Sequence, residues 1–384
     1  MFKPGIIEKF RQIATPFYYY DLGLLHSTID SAVHEAEKYG YFMHYALKAN
    51  SNPRLLEILS RKGFGADCVS GNEITRALEA GFREAEIVFA GVGKSDSEIK
   101  LALQNRIGSI HVESLQEMEV INKLAEEMGL AAPIALRIIP GIDALTHRYI
   151  TTGLEENKFG IHPWQFDTVL ENLGSFKNLR FSGLHFHIGS QITDLSVFKS
   201  LCKRVNEINS WFFARGFSAD VINVGGGLGV DYGEPDTCGI PDFASYFRVF
   251  HDFIELQGWQ HLHFEPGRAI VAQCGSLISK VLFVKEAVNT RFAIIDAGMN
   301  DLIRPALYQS YHKIGNLTSA GKTMKYDVVG PVCESSDCFG KAVNLPETSR
   351  GDLIAIRSAG AYGQTMASRY NLRDLAGEVY SDEI

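Results

Sequence analysis

The sequence contains no pair of cysteines at the spacing of a zinc knuckle or a redox motif. Its six cysteines (Cys68, Cys202, Cys238, Cys274, Cys333 and Cys338) are scattered over 384 residues, which fits reduced thiols better than a disulfide framework. No uninterrupted apolar run reaches membrane-spanning length, and residues 1–20 show no charged stretch followed by a long apolar one. A basic stripe is missing too. The formal charge of −8 is spread along the chain, so neither nucleic acid nor an anionic membrane surface is expected as a partner. Internal repeats and low-complexity linkers are absent. With 46% hydrophobic residues, what remains is a globular chain of two or three domains. It is expected in the cytoplasm, acting on a small molecule.

What the chain does have, from about Tyr41 to Glu265, is an alternation of short apolar runs with helical patterns. Eight runs can be counted, near 42–48, 65–70, 86–91, 109–113, 134–139, 182–189, 220–227 and 262–267. Between them, Ser95 with Glu98 and Ser114 with Glu117 fit capping boxes that start helices. Eight strand–helix units in this length predict a (β/α)₈ TIM barrel, where an open doubly wound sheet would stop at fewer strands. After Glu265 alternating segments separated by Gly, Pro and Asn turns predict a C-terminal β-rich domain, sandwich-like or barrel-like. The expected division is a barrel over 24–265 and a β domain over 266–384, joined by the opening strand within 1–23.

In such a barrel, chemistry gathers at the C-terminal ends of the strands. There the sequence places Lys48, Arg137, His187, the run Gly225, Gly226 and Gly227, and Glu265 with Gly267 and Arg268. Each has a bland reading: a snorkelling lysine, a tight bend, a structural ion pair. His185 and His187, two apart on a strand, could also be metal ligands, but no second such pair or completing carboxylate accompanies them. Taken together, a lysine, a glycine cradle, a flat imidazole and a carboxylate describe a site for pyridoxal 5′-phosphate, with no metal.

The motifs YALKAN, HFHIGSQ, NVGGGLG, EPGR, GPVCESSD and GAYG, in this order, resemble the fold-type III pyridoxal phosphate decarboxylases over nearly the whole chain. They are most similar to the branch that converts meso-2,6-diaminopimelate to L-lysine and CO₂, the last step of lysine biosynthesis. The resemblance implies that Lys48 carries the cofactor as an imine and that His187 stacks on its ring. It implies further that Ser190 and Gly225–Gly227 hold the phosphate and that Glu265 meets the pyridine nitrogen. Gly267, Arg268 and Tyr362 match cofactor-site positions, and Arg268, Arg304, Tyr308 and Tyr362 match positions that bind substrate. Cys333, as proton donor, and Glu334, towards the substrate's distal amine, correspond to a pair supplied by the neighbouring subunit of a homodimer. The stretch His147–Ile161 also matches a family signature, expected as a loop over the site. Cys338 stands where a hydrophobic residue is common.

Related decarboxylases acting on carboxynorspermidine, ornithine or lysine remain open. Racemases on the same barrel pair the pyridine nitrogen with an arginine, so Glu265 argues against them. A non-catalytic carrier of the cofactor would need neither the β domain nor CESSD, and a metal-dependent hydrolase would rest on the two histidines alone.

Overall fold

The computed structural model describes residues 2–142 and 158–384. Within it the chain forms two compact units: Ile29–Gly229 with Asp242–Gly267, and Met1–Thr28 with Val230–Pro241 and Arg268–Ile384. No helix among the described residues is long and apolar enough to cross a membrane.

In chain order the strands are β1 (Phe17–Tyr20), β2 (Phe42–Ala46), β3 (Gly65–Cys68), β4 (Ile87–Phe89), β5 (Ser109–Val112), β6 (Ala132–Ile138), β7 (Leu179–Phe186), β8 (Val221–Asn223) and β9 (His261–Phe264). The strands β2 to β9 close in sequence order into an eight-stranded barrel. All its pairings are parallel, including β2 with β9. Strands covered on both faces read as continuous apolar runs, which is why they stand out in the sequence. Their ends are tighter than the runs suggest. β2 stops at Ala46, and Lys48 lies in a following 3₁₀ turn, Leu47–Ala49.

Local chemistry starts the barrel helices. Asn52 accepts hydrogen bonds from the N–H groups of Arg54 and Leu55, with Pro53 supplying a preset φ, ahead of the helix Pro53–Arg61. Ser95 and Glu98 form the reciprocal capping box expected of them. Ser114 caps as expected, but Glu117 does not reach back to it. Its carboxylate accepts the N–H of Glu113 at 2.6 Å and the ammonium of Lys94 at 2.7 Å instead. A buried cation outcompetes the cap.

The second unit is a mostly antiparallel sheet. It adds β10 (Gly275–Glu286), β11 (Arg291–Ile295), β12 (Ile314–Asn316), β13 (Thr323–Val329), β14 (Cys338–Pro346), β15 (Leu353–Ile356) and β16 (Gly377–Tyr380). The order is β12-β15-β10-β11-β13-β14, with β1 paired antiparallel to β10 and parallel to β16. The aromatic β1 is fully buried, and Phe17 and Tyr19 pack with Phe10 and Ile278. Phe10 comes from a short helix, Pro4–Phe10, that no sequence signal above anticipates.

Candidate active site

The barrel's chemistry lies where its strands end. Lys48 Nζ sits 2.6 Å from Asp67 Oδ2, and Asp67, in the middle of β3, is fully buried while a third of the lysine side chain stays open. Burial raises the Asp67 carboxyl, and Glu265 adds to this, against the pull of Lys48. Sequence reasoning missed Asp67. Its one signal is a carboxylate inside the apolar run GADCVS, a costly placement unless a cation meets it.

Glu265 follows β9 and is buried with both oxygens engaged. Oε2 lies 3.0 Å from His185 Nε2, and Oε1 accepts from Asn223 Nδ2 at 2.9 Å. Burial works to raise this carboxyl. His185, by charge and hydrogen bond, together with His111 and Lys48, overcomes that and holds it well below the usual carboxylate range. Glu265 is therefore an ionised carboxylate inside the barrel.

His185 and His187 turn to different partners, because His187 lies beyond the end of β7. Its Nδ1 accepts the Gly226 N–H at 3.3 Å. Burial first, then the charges of Lys48 and Arg137, keep its pKa well below the ordinary value, so the ring is neutral. Among the described residues, the group that brings metal-ligating atoms together is His111, His185 and Glu265.

The segments after β7 and β8 are zipped together. Ile192 bridges to Leu228, its N–H donates to Gly227 O, and the Gly229 N–H donates back to Ile192 O, which sets Ser190 beside the glycine turn. Gly225 and Gly227 have φ of 71° and 118°, a region open chiefly to glycine. Gly226 has no such φ, yet a Cβ there would overlap the carbonyl oxygen of Glu265. Gly267 is pressed against Ala46 and Ala49, a Cβ there meeting both methyls at 3.0 Å.

Around these groups runs a network that the sequence did not suggest. Glu113 accepts from Arg137 Nη1 at 2.6 Å, from the Gly91 N–H at 3.1 Å and from the Gly160 N–H at 2.8 Å. Arg137 stacks over Phe159 at 4.5 Å. Most of the stretch His147–Ile161, residues 147–157, lies outside the described residues.

The second unit carries its own cluster. Arg268 donates to the Tyr232 hydroxyl at 2.6 Å and lies 4.9 Å from the Tyr362 ring. Arg304 is buried, donates to Ser310 Oγ, and has the rings of Tyr232, Tyr308 and Tyr362 within 6 Å. Its Nε has no hydrogen-bond partner among the described residues. Two guanidiniums among tyrosines suit a carboxylate ligand. Tyr362 takes a left-handed φ of 56°, an arrangement that costs energy and is kept where a side chain must be aimed. Cys333 and Glu334 are exposed. The Cys333 N–H donates to Asn371, and Glu334 accepts the Tyr370 hydroxyl at 2.7 Å.

Residues 25–272 match the family described as pyridoxal-dependent decarboxylase, pyridoxal binding domain. The chain is 55% identical over 379 residues to a diaminopimelate decarboxylase of Bacteroides thetaiotaomicron, covering 98% of each protein. It is 44% identical to one from Vibrio cholerae, across 97% of this chain and 88% of that protein. The crystal structure of the diaminopimelate decarboxylase of Helicobacter pylori complexed with L-lysine superposes with a TM-score of 0.93 at 41% identity, covering 99% of this chain and 94% of that one. A lysine/ornithine decarboxylase of Vibrio vulnificus shares the fold, with a TM-score of 0.85 at 21% identity.

Proposed function

The chain belongs to the diaminopimelate decarboxylases, within the pyridoxal-dependent decarboxylase family, and on that footing we propose that it converts meso-2,6-diaminopimelate to L-lysine and CO₂. The carrying observation is the buried, ionised Glu265 facing the same barrel end as the Lys48–Asp67 pair. A carboxylate in that place holds a proton on a pyridine nitrogen, as a racemase's arginine would not. The donor set fits the cofactor: a primary amine, a flat neutral imidazole, a turn that only glycine can form, and a hydroxyl beside it. When bound, pyridoxal 5′-phosphate supplies the electron sink that stabilises the charge left on Cα as CO₂ departs.

The residues divide the rest of the work. Lys48 would hold the cofactor through its aldehyde, and Asp67, 2.6 Å from Nζ, orients the amine. His187 would face the ring, and Ser190 with the glycine turn Gly225–Gly227 would hold the phosphate. Gly267 lets the chain after Glu265 pass close to the Lys48 turn. Arg268, Arg304, Tyr308 and Tyr362 hold the substrate, the two arginines reading the carboxylate that is not lost, and Glu334 meets the distal ammonium. A substrate lacking that carboxylate would leave them unmatched, at a cost in binding. Cys333 returns a proton to Cα. Cys333 and Glu334 serve the site of a second copy in a homodimer, and the enzyme works in the cytoplasm.

The test is direct. The protein is loaded with pyridoxal 5′-phosphate, reduced with borohydride and digested, and CO₂ and lysine are assayed with meso-diaminopimelate beside ornithine and lysine. A reduced adduct on Lys48 and lysine formation from diaminopimelate are expected. An adduct elsewhere, or ornithine turned over in preference, would overturn the reading.

Gly226→Ala should weaken the cofactor's hold without touching any side chain of the site. The added methyl meets the Glu265 carbonyl, which cannot retreat, because the Glu265 N–H is bonded to Gly225 O at 2.8 Å. Relieving the overlap shifts the turn, and with it His187, whose Nδ1 accepts the Gly226 N–H. A rise of at least about tenfold in the cofactor's dissociation constant, equal to ~1.4 kcal/mol, is expected in a fluorescence titration.

A further inference from the structure

Glu265 is not held by chance contacts. The Asn223 side chain is read unambiguously from its two ends: Oδ1 accepts the Gly225 N–H at 2.8 Å, so the other end is the amide nitrogen, and it donates to Glu265 Oε1 at 2.9 Å. One side chain thus ties the glycine turn to the carboxylate. The other oxygen faces His185 Nε2 at 3.0 Å. His185 has its ring stacked on His111 at 4.2 Å and 28°, and His111 Nδ1 lies 3.7 Å from Oε1, beyond a hydrogen bond. All four side chains are buried. An ionised carboxylate only accepts, and the amide of Asn223 at this end only donates. The surroundings therefore suit the anion and not the acid, provided His185 carries its hydrogen on Nε2. Nε2 faces a carboxylate oxygen, which only accepts, so a hydrogen sits on that nitrogen, while Nδ1 has no partner among the described residues.

We propose that Asn223 and His185 are positioning residues that fix the proton between Glu265 and the cofactor's ring nitrogen, with His111 holding the His185 ring in place. The inference rests on Glu265 being the partner of that nitrogen. By offering two donors to Glu265, the pair makes it the poorer holder of the shared proton and leaves that proton on the ring. Their effect falls on kcat, where charge develops, more than on KM.

The decisive variant is Asn223→Asp, which has nearly the same shape. Its protonated form still offers an O–H to Glu265. Its ionised form sets a second negative charge beside it. The holoenzyme variant should keep much of its kcat on the acid side and lose about ten- to a hundredfold as pH rises, a descending limb absent from the native profile, with KM little changed. Over the same pH range the absorbance band of the bound cofactor, read without substrate, should shift in the variant and not in the native protein. His185→Leu should lower kcat by a similar factor, and His185→Gln, which can still donate, by less. Combined with Glu265→Gln, neither Asn223→Asp nor His185→Leu should cost anything further, because the carboxylate they act through is gone.

Glu265→Gln alone separates the two layers of the argument. If it leaves kcat intact, the assignment of Glu265 to the ring nitrogen fails. If it is inactive while Asn223→Asp shows the native pH profile, or the losses simply add to that of a partly active Glu265 variant, the positioning role is overturned and the assignment stands. Should His185→Leu fail to fold, the nearly isosteric Asn223→Asp carries the test.

Discussion

Lys48→Ala is expected to lose at least about a thousandfold in turnover, the scale on which removal of a covalent catalytic group is felt, and to give no borohydride-stable adduct. The same change should leave a second signature. Asp67 Oδ2 then loses its lysine partner, and burial, which already raises its carboxyl, acts unopposed by Lys48. A carboxyl whose folded pKa lies above its unfolded one stabilises the fold below the unfolded value and loses that contribution as pH rises through the folded value. The melting temperature of Lys48→Ala should therefore fall between about pH 4 and neutrality relative to the native protein, whereas Lys48→Arg, inactive but still cationic, should follow the native curve. A flat difference between the two variants would mean that Asp67 is not buried beside the lysine. Mixing Lys48→Ala chains with Cys333→Ala chains should return part of the activity if sites are completed between copies, and none after verified subunit exchange if they are not.

The largest stability effect is expected at Glu113. Glu113→Ala strands the Arg137 guanidinium in the barrel and removes the acceptor of two further N–H groups, Gly91 and Gly160. Breaking a buried pair from one side costs about 3–5 kcal/mol, a large part of the usual ~5–15 kcal/mol of a folded protein. A drop on the order of 10 °C in the melting temperature is expected. Replacing both members, Glu113→Ala with Arg137→Met, should be less harmful than the single change, since no charge is left uncompensated. Equal or greater loss in the double variant would show that Arg137 has another partner to satisfy it.

Both predictions turn on a carboxylate, Asp67 or Glu113, that the sequence shows poorly. The barrel was legible because parallel strands, buried on two faces, are written as apolar runs, and because Lys48, His187, Gly225–Gly227 and Glu265 interrupt those runs at their ends. Asp67 escaped notice because it sits inside its run, where only the tertiary partner, 19 residues away, explains it. Glu113 follows β5, Arg137 lies in β6 and Gly160 precedes the residue that bridges to Ile138, and no spacing along the chain encodes their meeting. Glu117 illustrates the limit of local rules. The motif at Ser114 fits a capping box, but Lys94, with its ammonium end buried, takes the carboxylate that the cap would have used. Asn223, two residues ahead of the glycine run, was passed over, although its polar side chain joins that run to the carboxylate.

The strand Phe17–Tyr20 has its two neighbours, Gly275–Glu286 and Gly377–Tyr380, hundreds of residues downstream. At a synthesis rate of about 5–20 residues per second, the four aromatic residues leave the ribosome roughly 20 to 70 seconds before their parallel partner exists. The whole barrel is made in that interval. The nascent chain thus carries an unpaired, apolar strand through most of its synthesis, so a chaperone that binds extended aromatic segments should associate with stalled chains of this protein until residue 380 has emerged, and release them after it.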